Sequence, residues 1–477
     1  MSKNGKITKG LFWNMAERFG VLGTRFVLQL LLARMLDASH YGLLSLMIVF
    51  TTLANVFIQQ GFNGALIQNK DVTDEDYSSV LWVTMAVSTL LYGLLYLAAP
   101  IIAKIYKMPD FVVPFRVICL VLFPGSFNSV ELAMISRKMD FKKIFYGNMS
   151  GVVLSGIVGI LIARQGGGIW ALVWQTLLHM TIACVVMHGM LRWKFRFVCN
   201  LQRVKVLFSY GWKILVSDML ETLYQELRSL VTGFKYNSST LGYYHRGKQF
   251  PQFVITAVNN TISRVMLPVL SAEQEDKTQV KALMRNSIML SAFVLFPVMA
   301  GLAGVAMPLI RLILTDKWLP AVPYMQIYCF ALALGPVQAC SLQAINAIGR
   351  SDVNLKLGIS NKTVGILALA ISVFCFETPI AIAMTGVVTA GISCVINAIP
   401  NKKLIGYSYA EQLGDLVPSL LASMCMFALV LLVGRLQMPT IVVLMAQIVS
   451  GVAVYVLISA VFRLKPFKIL MKLLLRK

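Results

Sequence analysis

Leu36-Asp37-Ala38-Ser39-His40-Tyr41-Gly42 and Tyr236-Asn237-Ser238-Ser239-Thr240-Leu241-Gly242 share one pattern, and their closing glycines stand 200 residues apart. Each stretch joins two segments long enough to cross a membrane, 11–35 to 40–62 and 206–233 to 241–266. Gly10-Leu11-Phe12-Trp13 precedes the first as Tyr210-Gly211-Trp212 precedes the second. Further on, Pro109 to Cys119 resembles Pro320 to Cys329, and Ser136-Arg137-Lys138-Met139-Asp140-Phe141 resembles Gly349-Arg350-Ser351-Asp352-Val353. Each match is short, but together they keep one order. The chain reads as two halves built on one plan.

Composition says what that plan is. The 477 residues are 58% hydrophobic and 13% charged, where soluble domains carry about 25% charged residues. Apolar segments of about 20 residues recur from end to end, each able to span a bilayer. Lipid offers the backbone no partner, so spans are helices or closed barrels. Long apolar runs without strict alternation favour helices. The expectation is an all-α integral membrane protein of about fourteen transmembrane helices. Six spans per half is an even number, so two parallel lobes surround a central cavity, with two C-terminal helices behind. The predicted divisions are an N-lobe over 1–198, a C-lobe over 199–405, and a two-helix extension with a basic cytoplasmic tail over 406–477.

The net charge is +23. On a soluble protein this would favour nucleic acid. Here it reads as topology, and no nucleic-acid partner is expected. With both termini in the cytoplasm, Lys104, Lys107, Arg164, Lys235, Arg311, Lys317 and Arg435 fall on the outer face, against 26 basic residues on the cytoplasmic one. The eight cysteines include no CxxC pair and lie mostly in apolar runs, so neither a disulfide nor a metal site is expected. Ser2 to Lys9 is basic, but the segment behind it is too long and too charged for a signal-peptide core. Glu273 to Arg285 reads as an interfacial helix. Lys465 to Lys477 reads as an amphipathic tail on anionic headgroups or a plain stop-transfer flank.

Several charges sit inside the spans. Arg18 and Arg25 lie in the first, Asp218, Glu221 and Arg228 in the seventh, and His245, Arg246, Lys248 and Arg264 in the eighth. Charge in hydrocarbon is costly, so such groups face a bundle interior or a wet cavity. Cations on internal faces point to a path for something anionic.

Short motifs in order carry a family resemblance. Leu31-Leu32-Ala33-Arg34-Met35-Leu36-Asp37-Ala38-Ser39-His40-Tyr41-Gly42-Leu43-Leu44-Ser45 resembles the first hairpin of the polysaccharide-transporter family, and Gly61-Phe62-Asn63-Gly64-Ala65-Leu66-Ile67-Gln68 the end of its second helix. Leu241-Gly242-Tyr243-Tyr244 and Val265-Met266-Leu267-Pro268-Val269-Leu270-Ser271 resemble its eighth span, and Asp316-Lys317-Trp318 and Ala347-Ile348-Gly349-Arg350 its later loops. The family comprises Wzx-type flippases of the multidrug/oligosaccharidyl-lipid/polysaccharide exporter superfamily, and this chain is similar to its colanic-acid-exporter-like members. The resemblance implies a non-enzymatic secondary transporter of the bacterial inner membrane. Its cargo would be polyprenyl-diphosphate-linked oligosaccharide, flipped outward for O-antigen, capsule or exopolysaccharide assembly. Membrane lipids, a polysaccharide polymerase and chain-length machinery are the implied partners of a monomer.

At 100° per residue, Asn14, Arg18, Arg25 and Gln29 form one stripe, suited to a diphosphate. An ion pair of Arg18 with Glu17 or Asp218 is the structural alternative. Asn55, Gln59 and Asn63 form a weaker stripe on the second span. His245, Gln249, Gln252, Thr256, Asn260 and Ser263 share a face of the eighth, with Arg264 to one side and Arg246 and Lys248 near the outer mouth. The amides are expected to meet sugar hydroxyls, or else to glue helices together. No phosphate-binding GxxxxGK[ST] loop occurs, so H+ or Na+ is the expected coupling ion, with no other cofactor. Asp218 and Glu221, on one face of the seventh span, are the coupling candidates. His40, His179 and His188 read as interfacial or packing groups. Gly147, Gly151, Gly156 and Gly159 read as a close-packing stripe. Three rivals stand beside this reading: a multidrug exporter of the same superfamily, a lipid II flippase, and a membrane-embedded glycosyltransferase or polymerase.

Overall fold

A computed structural model describes residue 13 and residues 17–69, 71–272 and 276–475. A π turn, Glu17–Val21, runs directly into α1 (Leu22–Met35). Helices α2 (Ala38–Gln68), α3 (Asp74–Ile105), α4 (Pro109–Lys138), α5 (Phe141–Arg164) and α6 (Ile169–Leu191) follow. Then come α7 (Leu201–Lys235), α8 (Ser238–Ala272), α9 (Lys277–Gly304), α10 (Ala306–Leu314) and α11 (Asp316–Ala347). The last are α12 (Ser351–Cys375), α13 (Pro379–Ile405), α14 (Tyr409–Val433), α15 (Thr440–Val461) and the amphipathic α16 (Lys465–Leu475). The described residues hold no strand, as expected of an all-α membrane protein.

Eleven of these helices are long and apolar enough to cross a membrane, among the described residues. The expected spans 11–35, 206–233 and 241–266 are not among the eleven, yet α1, α7 and α8 occupy them. These are the spans that carry interior charge. The described α1 is only 14 residues long, and in α7 and α8 polar residues lower the average hydropathy without removing the helix. The expected interfacial helix at Glu273 to Arg285 needs correction. Residues 273–275 lie outside the described set, Asp276 caps a helix by accepting from the amides of Thr278 and Gln279, and Lys277 to Arg285 are simply the first turns of α9.

Contacts divide the chain into two compact units, Met1–Gly242 and Tyr243–Lys477. In the first unit, α7 runs along α2. A Cβ on Gly211 of α7 would overlap the carbonyl of Gly61 on α2, so only glycine permits this approach. The repeated heptapeptides meet in the same unit. A Cβ on Gly42 would overlap the carbonyl of Ser238, and one on Gly242 the carbonyl of Ala38. The contact is reciprocal, because each glycine receives the residue four positions before the other.

A second glycine seam builds the site. A Cβ on Gly147 would stand 3.0 Å from the Ala183 carbonyl, and one on Gly151 2.7 Å from that of His179. These glycines let α5 and α6 approach backbone to backbone, as expected. Gly156 receives Leu28, which draws α1 onto the same pair.

In the second unit, α9 packs along α14. Arg285 holds Asp415 through two bonds of 2.6 and 2.8 Å, and Lys281 holds Glu411 at 2.9 Å. Tyr407 donates to Asp415 at 2.8 Å.

Candidate functional site

Arg25 projects from α1 into a hollow of about 220 Å³ inside the first unit. Gln29, one turn along α1, shares it. Ser155 of α5 and Gln175, Thr176 and His179 of α6 complete its polar lining, with Ile48 of α2 and Val152 of α5. Arg25 Nη2 lies 3.1 Å from His179 Nε2. A guanidinium only donates, so the imidazole accepts as a neutral ring with its proton on Nδ1. The arrangement presents fixed donors and amides in a pocket within apolar surroundings. It suits an anion with several oxygens.

Three of the four exposed apolar side chains of α1, Val27, Leu31 and Met35, lie about 140° around the helix from Arg25 and Gln29, while Leu22 lies on the side of Gln29. Residues 175, 176 and 179 lie on one face of α6. His179, expected to be an interfacial or packing group, lies beside Arg25 in this hollow. The signal was available, because a Gln, a Thr and a His at that spacing form a polar stripe like the one on α1.

The rest of the expected stripe falls differently. Asn14 lies outside the described residues, as does the side chain of Arg18. The π turn Glu17–Val21 holds an extra residue per turn, so a line drawn at about 100° per residue shifts as it crosses the turn. Glu17 accepts from Asn148 Nδ2 at 3.0 Å. On α2, Asn55 Oδ1 is buried with no hydrogen-bond partner among the described residues, facing Gly125 of α4. Gln59 is half-buried. Asn63 donates to the Ser129 carbonyl at 3.2 Å.

On α7, Asp218 and Glu221 are half-buried. Glu221 accepts from Gln225 at 2.8 Å, and the Arg228 guanidinium lies 5.9 Å from the Tyr224 ring centre. The exposed stripe Trp212, Val216, Leu220 and Leu223 lies about 160° from the polar one, so these charges turn from lipid. Glu226, which the sequence reading passed over, has a buried Oε2 with no partner among the described residues.

On α8, the expected face divides. Gln252 and Thr256 are exposed and bonded to each other at 3.2 Å. Arg246 is 4% exposed, bonds Gln249, and lies 5.5 Å over the Trp318 ring. Lys248 lies 5.9 Å over Tyr328, and His245 is half-buried beside Tyr244. Packing engages Arg246 more than any cavity does. The side chains of Asn260, Ser263 and Arg264 lie outside the described set.

A larger hollow of about 600 Å³ sits at the α2 N-terminal end of the same unit, lined by His40, Lys107, Asp110 and Trp170 among others. His40 Nδ1 accepts the Asp37 amide at 3.3 Å in a capping box, a structural role as expected.

A helical bundle that keeps cations on interior faces defines a membrane transporter rather than an enzyme. Comparison with known proteins agrees. The inward-closed structure of the lipid II flippase MurJ superimposes with a TM-score of 0.75, at 15% identity, over 95% of this chain and 98% of that one. That likeness establishes the fold. The glycosyltransferase or polymerase reading is set aside by the family and the relatives that follow. Residues 31–323 match the polysaccharide biosynthesis protein family, and the chain belongs to that family. The succinoglycan biosynthesis transport protein ExoT of Rhizobium meliloti (strain 1021) is 23% identical over 427 residues, 87% of this chain and 82% of that one. The teichuronic acid biosynthesis protein TuaB of Bacillus subtilis (strain 168) is 23% identical over 351 residues, 73% of this chain and 72% of that one.

Proposed function

We propose that this protein flips polyprenyl-diphosphate-linked oligosaccharide repeat units across the bacterial inner membrane, by ion-coupled alternating access, for surface polysaccharide assembly. The observation that carries the reading is the Arg25 hollow. At roughly 30 Å³ per water, its 220 Å³ holds about seven waters. That is room for a phosphate group or a pair, and too little for a chain of sugars. The diphosphate is the part of such a cargo that the pocket fits. Arg25 donates to its oxygens through its other N–H groups while His179 holds Nη2 in place. Gln29, Gln175 and Thr176 bond the remaining oxygens.

An organic-cation exporter is the less favoured reading, because a fixed guanidinium in a low-dielectric pocket repels that cargo. The names of ExoT, a succinoglycan biosynthesis transport protein, and TuaB, a teichuronic acid biosynthesis protein, support the same direction. In this reading both termini lie in the cytoplasm, the protein works as a monomer, and a polymerase with chain-length machinery takes over its product. H+ or Na+ supplies the energy.

The test is reconstitution. Purified protein in liposomes is given a polyprenyl-diphosphate oligosaccharide in one leaflet, and a lectin or glycosidase outside reads its arrival in the other. Wild type is expected to move the lipid and Arg25→Ala to move it at least tenfold more slowly at equal protein. Equal rates for the two would defeat the reading.

A further inference from the structure

Three carboxylates among the described residues are less than a tenth exposed: Asp76 at 3%, Asp415 at 7% and Glu131 at 0%. Asp76 is held by Arg203 through two bonds of 3.1 Å, and Asp415 by Arg285. Glu131 has no such guanidinium. Its Oε1 lies 3.0 Å from His188 Nδ1, and its Oε2 is buried with no nitrogen or oxygen partner among the described residues. The Cys184 thiol lies against the same carboxyl. A lone carboxylate in so dry a place costs several kcal/mol, so the His188 Nδ1–H is the group that offsets its charge when the proton leaves.

We propose that Glu131 and His188 form the proton-binding relay of this protein, a conclusion that rests on its being an ion-coupled transporter. In one state the Glu131 carboxyl donates its O–H to a neutral His188 ring at Nδ1. In the other the proton has moved to Nδ1, leaving a carboxylate beside an imidazolium. The imidazolium then releases a proton from Nε2 to water, and the reverse sequence reloads the carboxyl. Each step moves one proton and breaks no other bond. The geometry gives the relay a dry end and a wet end, since Glu131 is fully covered while the His188 side chain is 35% exposed.

Among the described residues, the charged groups near this pair have other engagements or lie at a helix end. From α6 the Cys184 thiol lies against Glu131, Arg192 closes the helix with its amide on the His188 carbonyl, and Arg196 of the following segment faces Glu75. On α4, Arg137 is turned to the carbonyls of Leu66 and Asn69. Helix α2 carries no Asp, Glu, Lys or Arg, and its Asn63 is bonded to the Ser129 carbonyl. On α3, Asp76 belongs to Arg203, and Tyr77 stands beyond Trp193 at 6.5 Å between ring centres. On α5, Lys143 pairs with Asp140 and Lys142 lies over Trp13 and Tyr146.

The proton state also has a reader. Phe127, Trp193 and Phe195 wall the imidazole at 6.4, 6.3 and 6.3 Å. Trp193 and Phe195 belong to the segment between α6 and α7. That segment is laid across α3 by bonds from the Arg196 amide to Ser78 at 3.1 Å, from Trp82 to the Arg196 carbonyl at 3.0 Å, and from the Asn200 amide to Ser79 at 2.9 Å. Charge on His188 changes the packing of the strap that leads into α7.

Trp193 makes the relay visible. Tryptophan emission of the purified full chain in micelles is titrated between about pH 5 and pH 9. Wild type is expected to show a transition that Glu131→Gln loses, that Trp193→Phe silences, and that Glu131→Asp restores at a shifted midpoint. A purely structural glutamate would not give that rescue by aspartate. Thermal unfolding of each variant checks that it is folded. In vesicles carrying polyprenyl-diphosphate oligosaccharide under an imposed pH gradient, wild-type flipping follows the gradient. Glu131→Gln flips at least tenfold more slowly and ignores the gradient. A folded wild type with no pH transition, a transition unchanged in Glu131→Gln, or a gradient response kept by that variant would overturn the proposal. Wild-type vesicles that flip nothing would instead count against the cargo, and the micelle titration would still decide the relay.

Discussion

Arg25→Lys separates charge from geometry. Lysine keeps the charge but loses the fork that addresses two oxygens at once. A hydrogen bond to a charged group contributes about 1.5–3 kcal/mol, so binding of pyrophosphate to the purified protein is expected to weaken by roughly 10- to 100-fold for Arg25→Ala. Arg25→Lys should fall between alanine and wild type. His179→Phe should leave the charge but misplace it, raising the concentration of pyrophosphate needed without abolishing binding. Calorimetric titration checks both. Arg25 was legible because a cation inside an apolar span is conspicuous. His179 was harder to see, because the stripe it forms with Gln175 and Thr176 is polar but lacks the fixed charge that marks Arg25. Glu131 was missed for a related reason: one acidic residue near a helix end reads as a boundary. The π turn at Glu17–Val21 left no mark on the sequence at all.

Helices α1, α7 and α8 show why pattern outranks composition. None stands out as a span by length and composition: α1 is 14 residues long, and α7 and α8 carry many polar and charged residues. The repeat and the placement of the glycines nonetheless put helices there. Gly242→Val tests the glycine that the repeat singled out. Its side chain would overlap the Ala38 carbonyl, and neither backbone has room to yield. The variant should lose more than about 3 kcal/mol, read as a collapsed yield of folded, monodisperse protein. Gly64→Ala on the same α2 face region meets only Ile214 at 3.7 Å and should be tolerated. Other features of the elements stayed hidden. The 3₁₀ turn Cys119–Val121 inside α4 and the break after Gly304 depend on tertiary packing rather than on any local signal.

At the scale of the molecule, the orientation proposed from the asymmetry of Lys and Arg is one that two native cysteines can report. Cys199 and Cys375 are both exposed. The first lies in the basic segment before α7 and the second at the end of α12. A membrane-impermeant maleimide added to intact cells should label wild type, should lose that label in Cys375→Ser, and should keep it in Cys199→Ser. Labelling of Cys199 from outside would invert the topology. The fold class and the family were readable because apolar length, basic loops and ordered motifs are properties of the chain itself. Where each polar face points was not, since it depends on which helices pack together. The central claim is that an interior arginine holds the phosphorylated end of a lipid-linked sugar. Its most direct measurement is the affinity of purified wild type and Arg25→Ala for a short-chain prenyl-diphosphate oligosaccharide in micelles. The account predicts saturable wild-type binding that is competed by pyrophosphate and weakened at least tenfold by the substitution. Equal affinities, or wild-type binding that pyrophosphate leaves untouched, would contradict it.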